Sequence, residues 1–111
     1  MQKMILMLPA FLLLAACGQS DAKKAESAAA MAEIRNQRVA REFVGGVLKD
    51  PGSAEFRNQH GLCGEVNSKN SFGGYVGFRR FIAATKEMVV FENDGRMSPR
   101  DFETAWSRHC R

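Results

Sequence analysis

The sequence predicts an α+β fold in which a long N-terminal helix packs on a small antiparallel sheet of about four strands, with a C-terminal helix closing the domain. Apolar residues recur at the helical period between residues 28 and 49, which is typical of a helix that covers a sheet. Short runs rich in aromatic and β-branched residues follow, separated by turn residues. Cys63 and Cys110 are then available to tie the last helix to the sheet.

The first helix is predicted over residues 28–49. Gly45 and Gly46 interrupt it, and each is about 1 kcal/mol less favourable than alanine in a helix. Close packing of a strand against this point is the simpler explanation, and an early end of the helix is the alternative. The stop signal is the DPGS run at residues 50–53, because proline lacks an amide donor and restricts the residue before it.

The strands are predicted at residues 55–59, 62–67, 75–85 and 87–91. In the third strand, alternation gives two faces with different expected roles. The face expected to be partly available for a partner carries Tyr75, Arg79 and Phe81. The face expected to enter the core carries Val76, Phe78 and Ile82.

The final helix is predicted from the SPRD run at residues 98–101 to about Cys110. This run supplies an N-cap hydroxyl, a proline at the first helical position and an acidic residue at the third. Phe102 and Trp106 are four residues apart, so they lie on one side of the helix and form its inner face.

The first 16 residues have the organisation of a signal peptide. A lysine at position 3 precedes an apolar run over residues 4–14, and small residues follow at Ala15 and Ala16. The apolar run is too short to cross a bilayer as a helix of the mature protein. The sequence therefore predicts an exported protein.

Residues 14–17, LAAC, resemble the lipobox of bacterial lipoproteins. The resemblance implies that the leader is removed before Cys17 and that this cysteine is acylated, which would hold the protein on a membrane. The alternative is an ordinary secretory signal with a coincidental cysteine. Gly18 follows the cysteine, which in the sorting pattern of such lipoproteins implies the periplasmic face of the outer membrane; inner-membrane anchoring is the alternative.

The predicted organisation has three parts. Residues 1–16 form the lipoprotein signal peptide, and residues 17–27 form the lipidated cysteine with a flexible tether. The tether is small, polar and charged and has nothing to bury. Residues 28–111 form a single α+β domain, whose core is small enough that a covalent link should contribute to its stability.

The chain has three cysteines, and assigning Cys17 to lipid leaves Cys63 and Cys110 as a disulfide pair. The bridge would close a loop of about 48 residues and stabilise the domain by roughly 3 to 4 kcal/mol. A metal site with His60 and His109 is one alternative, and free or intermolecularly paired thiols are another. Neither metal nor cofactor is expected, because adjacent helical residues such as His109 and Cys110 point about 100° apart.

No catalytic motif is recognisable, and we expect the protein not to be an enzyme. The sequence lacks a G-x-S-x-G elbow, a P-loop and an H-E-x-x-H pair. An enzymatic alternative would need a pocket that gathers Glu65 or His60 with Lys69. The net charge of +4, with basic residues scattered along the chain, does not favour a nucleic-acid partner.

The polar run at residues 67–71 leads into an aromatic and glycine-rich segment, a composition suited to recognition. A solvated turn is the simpler alternative. If the run binds a partner, such as another envelope protein, the candidate contact residues are Asn67, Lys69, Asn70, Tyr75 and Arg79.

DPGSAEFR at residues 50–57 and CGEVNSKNSFGGYVGFRRF at residues 63–81 resemble a group of small exported bacterial proteins without an assigned activity. The resemblance implies an exported domain and no catalytic residue. The predicted function is therefore a lipid-anchored, non-enzymatic binding module. The alternatives are a structural or assembly accessory of the outer membrane, or an inhibitor of a periplasmic or cell-wall enzyme.

Overall fold

Two helices enclose a four-stranded sheet in the computed structural model of this protein, which describes residues 20–111. The strands lie in the order β1-β2-β3-β4, and each neighbouring pair is antiparallel. The predicted α+β class is confirmed. The elements in chain order are helix α1 (Asp21–Gly45), a 3-10 turn (Pro51–Ser53), β1 (Glu55–His60), β2 (Cys63–Asn67), β3 (Arg79–Ala83), β4 (Val89–Phe91) and helix α2 (Pro99–His109).

Helix α1 begins at Asp21, and the predicted start at Ala28 is wrong. The Ser20 hydroxyl accepts a hydrogen bond from the amide of Lys23 at 3.3 Å, and an acidic residue in the first turn favours the positive end of the helix dipole. Residues 21–27, predicted as part of a flexible tether, are therefore helical. The signal peptide, the lipobox and Cys17 lie outside the described residues.

The helix ends at Gly45, four residues before the predicted end. The amide of Gly46 donates to the Glu42 carbonyl at 3.1 Å, which completes the last turn. Of the two expectations for the glycine pair, the early end is the one observed. The following segment, residues 47–49, continues along the sheet and places Leu48 in the core.

One face of the sheet packs against α1. Apolar residues of the helix and of the segment after it meet side chains from all four strands. The buried members of this cluster are Ala40, Val44, Leu48, Val66, Phe81, Ala83, Val89 and Phe91. Burial of this apolar surface is the main stabilising contribution to the fold.

Phe81 lies at the centre of this core, and its predicted position on a face available to partners is wrong. The side chain is 0% exposed, and its ring meets Phe56 edge to face at a centroid distance of 5.9 Å. Gly64 lies directly opposite, where a Cβ would come within 3.0 Å of the Phe81 ring. Val76 and Phe78, predicted as core residues of the third strand, precede β3, and Val76 is exposed.

Helix α2 covers the opposite face of the sheet. Its start agrees with the prediction, since the Ser98 hydroxyl accepts from the amide of Asp101 at 3.1 Å. Phe102 and Trp106 stack at a centroid distance of 6.0 Å and face the sheet. The buried residues on this side are Cys63, Ile82, Val90, Phe102 and Cys110, so the core position predicted for Ile82 is confirmed.

The disulfide between Cys63 and Cys110 is present, with the two Cα atoms 5.6 Å apart. It joins the first residue of β2 to the residue that follows α2. The predicted covalent link between the last helix and the sheet is confirmed.

An ion-pair network lies where α2 meets the sheet. Arg80 contacts Glu92 at 3.0 Å and also pairs with Glu103, and its guanidinium lies 5.0 Å from the Trp106 ring centroid. The hydrogen bond from Arg80 lowers the pKa of Glu103, and the same contact raises the pKa of Arg80. Arg80 thus connects β3, the end of β4 and α2.

Candidate functional site

The segment that connects β2 to β3, residues 68–78, is an internally hydrogen-bonded loop. The Asn70 side-chain oxygen accepts from the amides of Phe72 and Gly74 at 2.9 and 3.1 Å. The Asn70 backbone amide donates to the Gly74 carbonyl at 2.9 Å, and its carbonyl accepts from the amide of Gly73 at 3.0 Å. Gly73 adopts φ of +80°, a conformation that glycine accommodates without strain.

Asn67 and Tyr75 fasten the base of this loop. The Asn67 side-chain oxygen accepts from the amide of Gly77 at 3.0 Å, and the Tyr75 hydroxyl donates to the Ser53 carbonyl at 3.1 Å. Lys69 pairs with Tyr75 in an isolated β-bridge. These contacts hold the loop in a single shape against the 3-10 turn.

An open cleft of about 680 Å³ lies beside the loop. Its walls come from four parts of the chain: the segment after α1, the β2–β3 loop, the start of β3, and β4 with the turn that follows it. The residues that line it are Val47, Leu48, Lys49, Ser68, Lys69, Asn70, Val76, Gly77, Phe78, Arg79, Val89, Phe91, Glu92, Asn93, Asp94 and Arg96.

The cleft has an apolar floor and a basic rim. Leu48, Val89 and Phe91 are buried core residues that border it, whereas Val47 and Val76 are exposed apolar residues. The other lining residues include four basic and two acidic side chains. An apolar floor with a few placed charges is the usual composition of a binding pocket.

Both carboxylates in the cleft are engaged. Glu92 accepts from the backbone amide of Arg80 at 2.8 Å and from its guanidinium at 3.0 Å. Asp94 accepts from the amides of Phe91 and Arg96 at 2.9 Å each. Within residues 20–111, neither carboxylate forms an ion pair with Lys49, Lys69 or Arg79.

The turn that follows β4 covers the outer edge of that strand. Arg96 donates to the Val89 carbonyl at 3.2 Å, and Asp94 takes the amide of Phe91. These side chains use hydrogen-bonding groups that an edge strand would otherwise offer to another chain. Strand addition at this edge is therefore disfavoured, and the cleft presents side chains instead.

Three of the five predicted partner-binding residues, Lys69, Asn70 and Arg79, line the cleft. The other two, Asn67 and Tyr75, hold the loop from outside it. The sequence reading missed the contributions of residues 47–49 and 91–96, which are distant in the chain and carry no motif. The only indication of these two segments in the sequence is that charged residues lie next to the ends of a helix and a strand.

The group required by the enzymatic alternative does not form. Lys69 lines the cleft, but neither Glu65 nor His60 does. The Glu65 carboxylate accepts hydrogen bonds from Asn58 and Arg57. Both contacts lower the pKa of Glu65, and the bond from Asn58 has the larger effect. A carboxylate held ionised in this way is poorly suited to general acid catalysis near neutral pH.

Within residues 20–111, no cluster of three or more side chains could hold a metal ion. In the same part of the chain, neither helix combines the length and apolarity needed to cross a membrane. The structure thus defines an α+β domain with an open cleft that more basic than acidic side chains line.

No protein-family model, curated protein or solved structure matches this chain.

Proposed function

We propose that this protein is a lipid-anchored lipoprotein of the bacterial envelope that acts as a non-enzymatic binding module, with the cleft as its binding surface. The observation that carries the proposal is the combination of an apolar floor with basic side chains that have no acidic partner. Within residues 20–111, no ion pair involves Lys49, Lys69 or Arg79. Binding of a complementary ligand to such a surface lowers the free energy.

The shape of the cleft supports binding because its main wall is already ordered. The β2–β3 loop is fixed by the hydrogen bonds of Asn67, Asn70 and Tyr75. A partner therefore does not have to order this loop, and the entropic cost of binding is reduced.

The engagement of Glu92 and Asp94 favours binding over catalysis. Both carboxylates accept two hydrogen bonds from the protein, and no histidine or cysteine of residues 20–111 lines the cleft beside them. The cleft supplies cations and apolar contacts, which recognise a ligand without requiring its chemical change.

Helix α1 supports an arrangement in which the cleft faces away from the lipid. Residues 21–31 are exposed, a length of about 17 Å of helix at 1.5 Å per residue. The predicted lipid attachment at Cys17 precedes this end, whereas the cleft borders residues 47–49 at the opposite end of α1. The proposed partner is therefore an envelope protein reached from the membrane surface, rather than the anchoring lipid.

Photo-crosslinking in the bacterium that produces the protein tests this proposal. A photoreactive amino acid at Val76, which lines the cleft and is 57% exposed, should give a defined crosslinked species. The matched control is Met88, which is 58% exposed and does not line the cleft. A proposal of binding at the cleft predicts at least about a tenfold higher yield from Val76, as expected for a specific contact.

Equal yields and the same set of products at both positions would contradict the proposal, because random collision depends on exposure and not on the cleft. If the species crosslinked through Val76 is an enzyme whose activity falls on binding, the inhibitor alternative is favoured.

The lipid anchor has its own test in the substitution Cys17→Ser. The variant is expected to incorporate no labelled palmitate, because it lacks the thiol that accepts the acyl chain, and to keep its leader, because the resemblance to a lipobox makes cleavage depend on that cysteine. Palmitate labelling and the apparent mass of the full-length chain measure this. Gln19→Ala, which lies just beyond the lipobox, is the control and should be labelled and cleaved as the wild type is. Labelling of Cys17→Ser at the wild-type level would contradict acylation of Cys17.

A further inference from the structure

Arg79 is held in a conformation that presents its donors to the cleft. Its guanidinium carbon lies 3.9 Å from the centroid of the Phe91 ring, and that ring belongs to the buried core. Within residues 20–111, the Arg79 side chain makes no ion pair. A guanidinium stacked on an aromatic face keeps its N–H donors in the plane, where they match the two oxygens of a carboxylate.

Two lysines extend the positive charge along the same cleft. Lys49 is exposed at the end of the segment after α1, and Lys69 is half-buried in the loop. The Lys69 ammonium lies 5.6 Å from the Tyr75 ring centroid, so its stem is partly ordered. Glu92 pairs with Arg80, and within residues 20–111 no carboxylate pairs with Lys49, Lys69 or Arg79, so these three cations are available to a ligand.

We propose that the cleft takes a carboxylate of a protein segment, with Arg79 as the bidentate donor and Lys49 and Lys69 providing further positive charge. Exposed Val47 and Val76 on the rim would contact apolar residues beside the acidic one. This inference rests on the proposed binding role of the cleft and names the chemistry of the partner.

A peptide carboxylate fits the cleft better than a lipid phosphate does. The cleft borders residues 47–49, which follow the end of α1 that is distant from the predicted lipid attachment. The apolar floor also favours side chains over a free inorganic ion. Binding of lipid phosphate or of inorganic phosphate is therefore the alternative that the test must distinguish from carboxylate binding.

The test uses the full-length protein as its host produces it, purified in detergent and labelled with 15N for NMR titration. The probe is N-acetyl-Val-Asp-Val-amide, and its neutral match is N-acetyl-Val-Asn-Val-amide. We expect shifts of the Gly77 amide and the Arg79 side-chain signal with the aspartyl peptide, and at least about tenfold weaker binding of the neutral peptide. Raising the salt concentration should weaken the binding of the aspartyl peptide, because salt screens the charges.

Matched variants distinguish the effect of the planar Arg79 guanidinium from the effect of its positive charge. Arg79→Gln should reduce affinity for the aspartyl peptide at least about tenfold, and Arg79→Lys, which keeps the charge but not the planar fork, should also weaken binding. The control Arg35→Gln removes an exposed arginine of α1 that does not line the cleft, and it should bind as the wild type does.

Equal binding of both peptides would overturn the carboxylate assignment while leaving the cleft as a binding surface, which the Val76 crosslink tests separately. Shifts with inorganic phosphate or short-chain phosphatidylglycerol, but not with the aspartyl peptide, would overturn it in favour of a phosphate source. No shift with any of these probes would also overturn it.

Discussion

Replacing both Cys63 and Cys110 with serine is expected to lower the free energy of unfolding by about 3 to 4 kcal/mol. The bridge closes a chain segment with a sequence separation of 47, so its loss restores much conformational freedom to the unfolded chain. It also removes the disulfide cross-link between the end of α2 and β2. The melting temperature should fall by at least about 12 °C for a domain of this size.

Denaturant titration of the double variant measures this effect, and the wild-type protein under reducing conditions is the control. The reduced wild type should also be destabilised, but less than the serine variant, because a buried thiol behaves as a small apolar group whereas a buried hydroxyl needs a hydrogen-bond partner. A loss below about 1 kcal/mol would mean that the packing of Phe102 and Trp106 alone holds α2.

The second large effect is expected from Phe81→Ala, at about 3 to 5 kcal/mol of unfolding free energy. Phe81 is fully buried, it meets Phe56 edge to face, and it fills the space left by Gly64. Its removal would leave a cavity between the sheet and α1. Stability measured by thermal or denaturant unfolding should fall accordingly.

Phe72→Ala makes the same chemical change at a position that is 96% exposed, and it should alter stability by less than about 0.5 kcal/mol. The pair thus separates burial from the chemistry of the substitution. Equal losses in the two variants would contradict the position of Phe81 in the core.

The fold class could be predicted because the apolar periods, the turn residues and the helix cap at Ser98 agree with one another. The start of α1 was missed because residues 21–27 have no apolar stripe. Extending an existing helix needs no new nucleus, so the cap at Ser20 and helix-favouring alanines, lysines and glutamate are sufficient. Residues 21–27 are therefore helical although their side chains are exposed.

The assignment of faces in β3 was wrong for a different physical reason. The prediction assumed that one face of the sheet is buried, whereas α1 covers one face and α2 the other. Phe81 and Ile82 are neighbours in the chain, and both are buried. Alternation cannot distinguish a core face from a surface face when both sides of a strand are covered.

The candidate site could be predicted only in part. Lys69 and Arg79 lie near each other in the sequence and on the cleft. Lys49 and Glu92 join them only because antiparallel pairing and the segment after α1 bring distant residues together. The structural role of Asn70, whose oxygen accepts two amides of its own loop, likewise depends on the shape of that loop.

The binding role of the cleft is tested most directly by the yield of the Val76 photo-crosslink in an Arg79→Gln background. Loss of the stacking of Arg79 on Phe91 should cost no more than about 1 kcal/mol of stability, so the domain remains folded. We predict that the crosslinked species is lost, although the melting temperature falls by no more than about 8 °C. An undiminished crosslink in the folded variant would contradict recognition of the partner through Arg79 in this cleft.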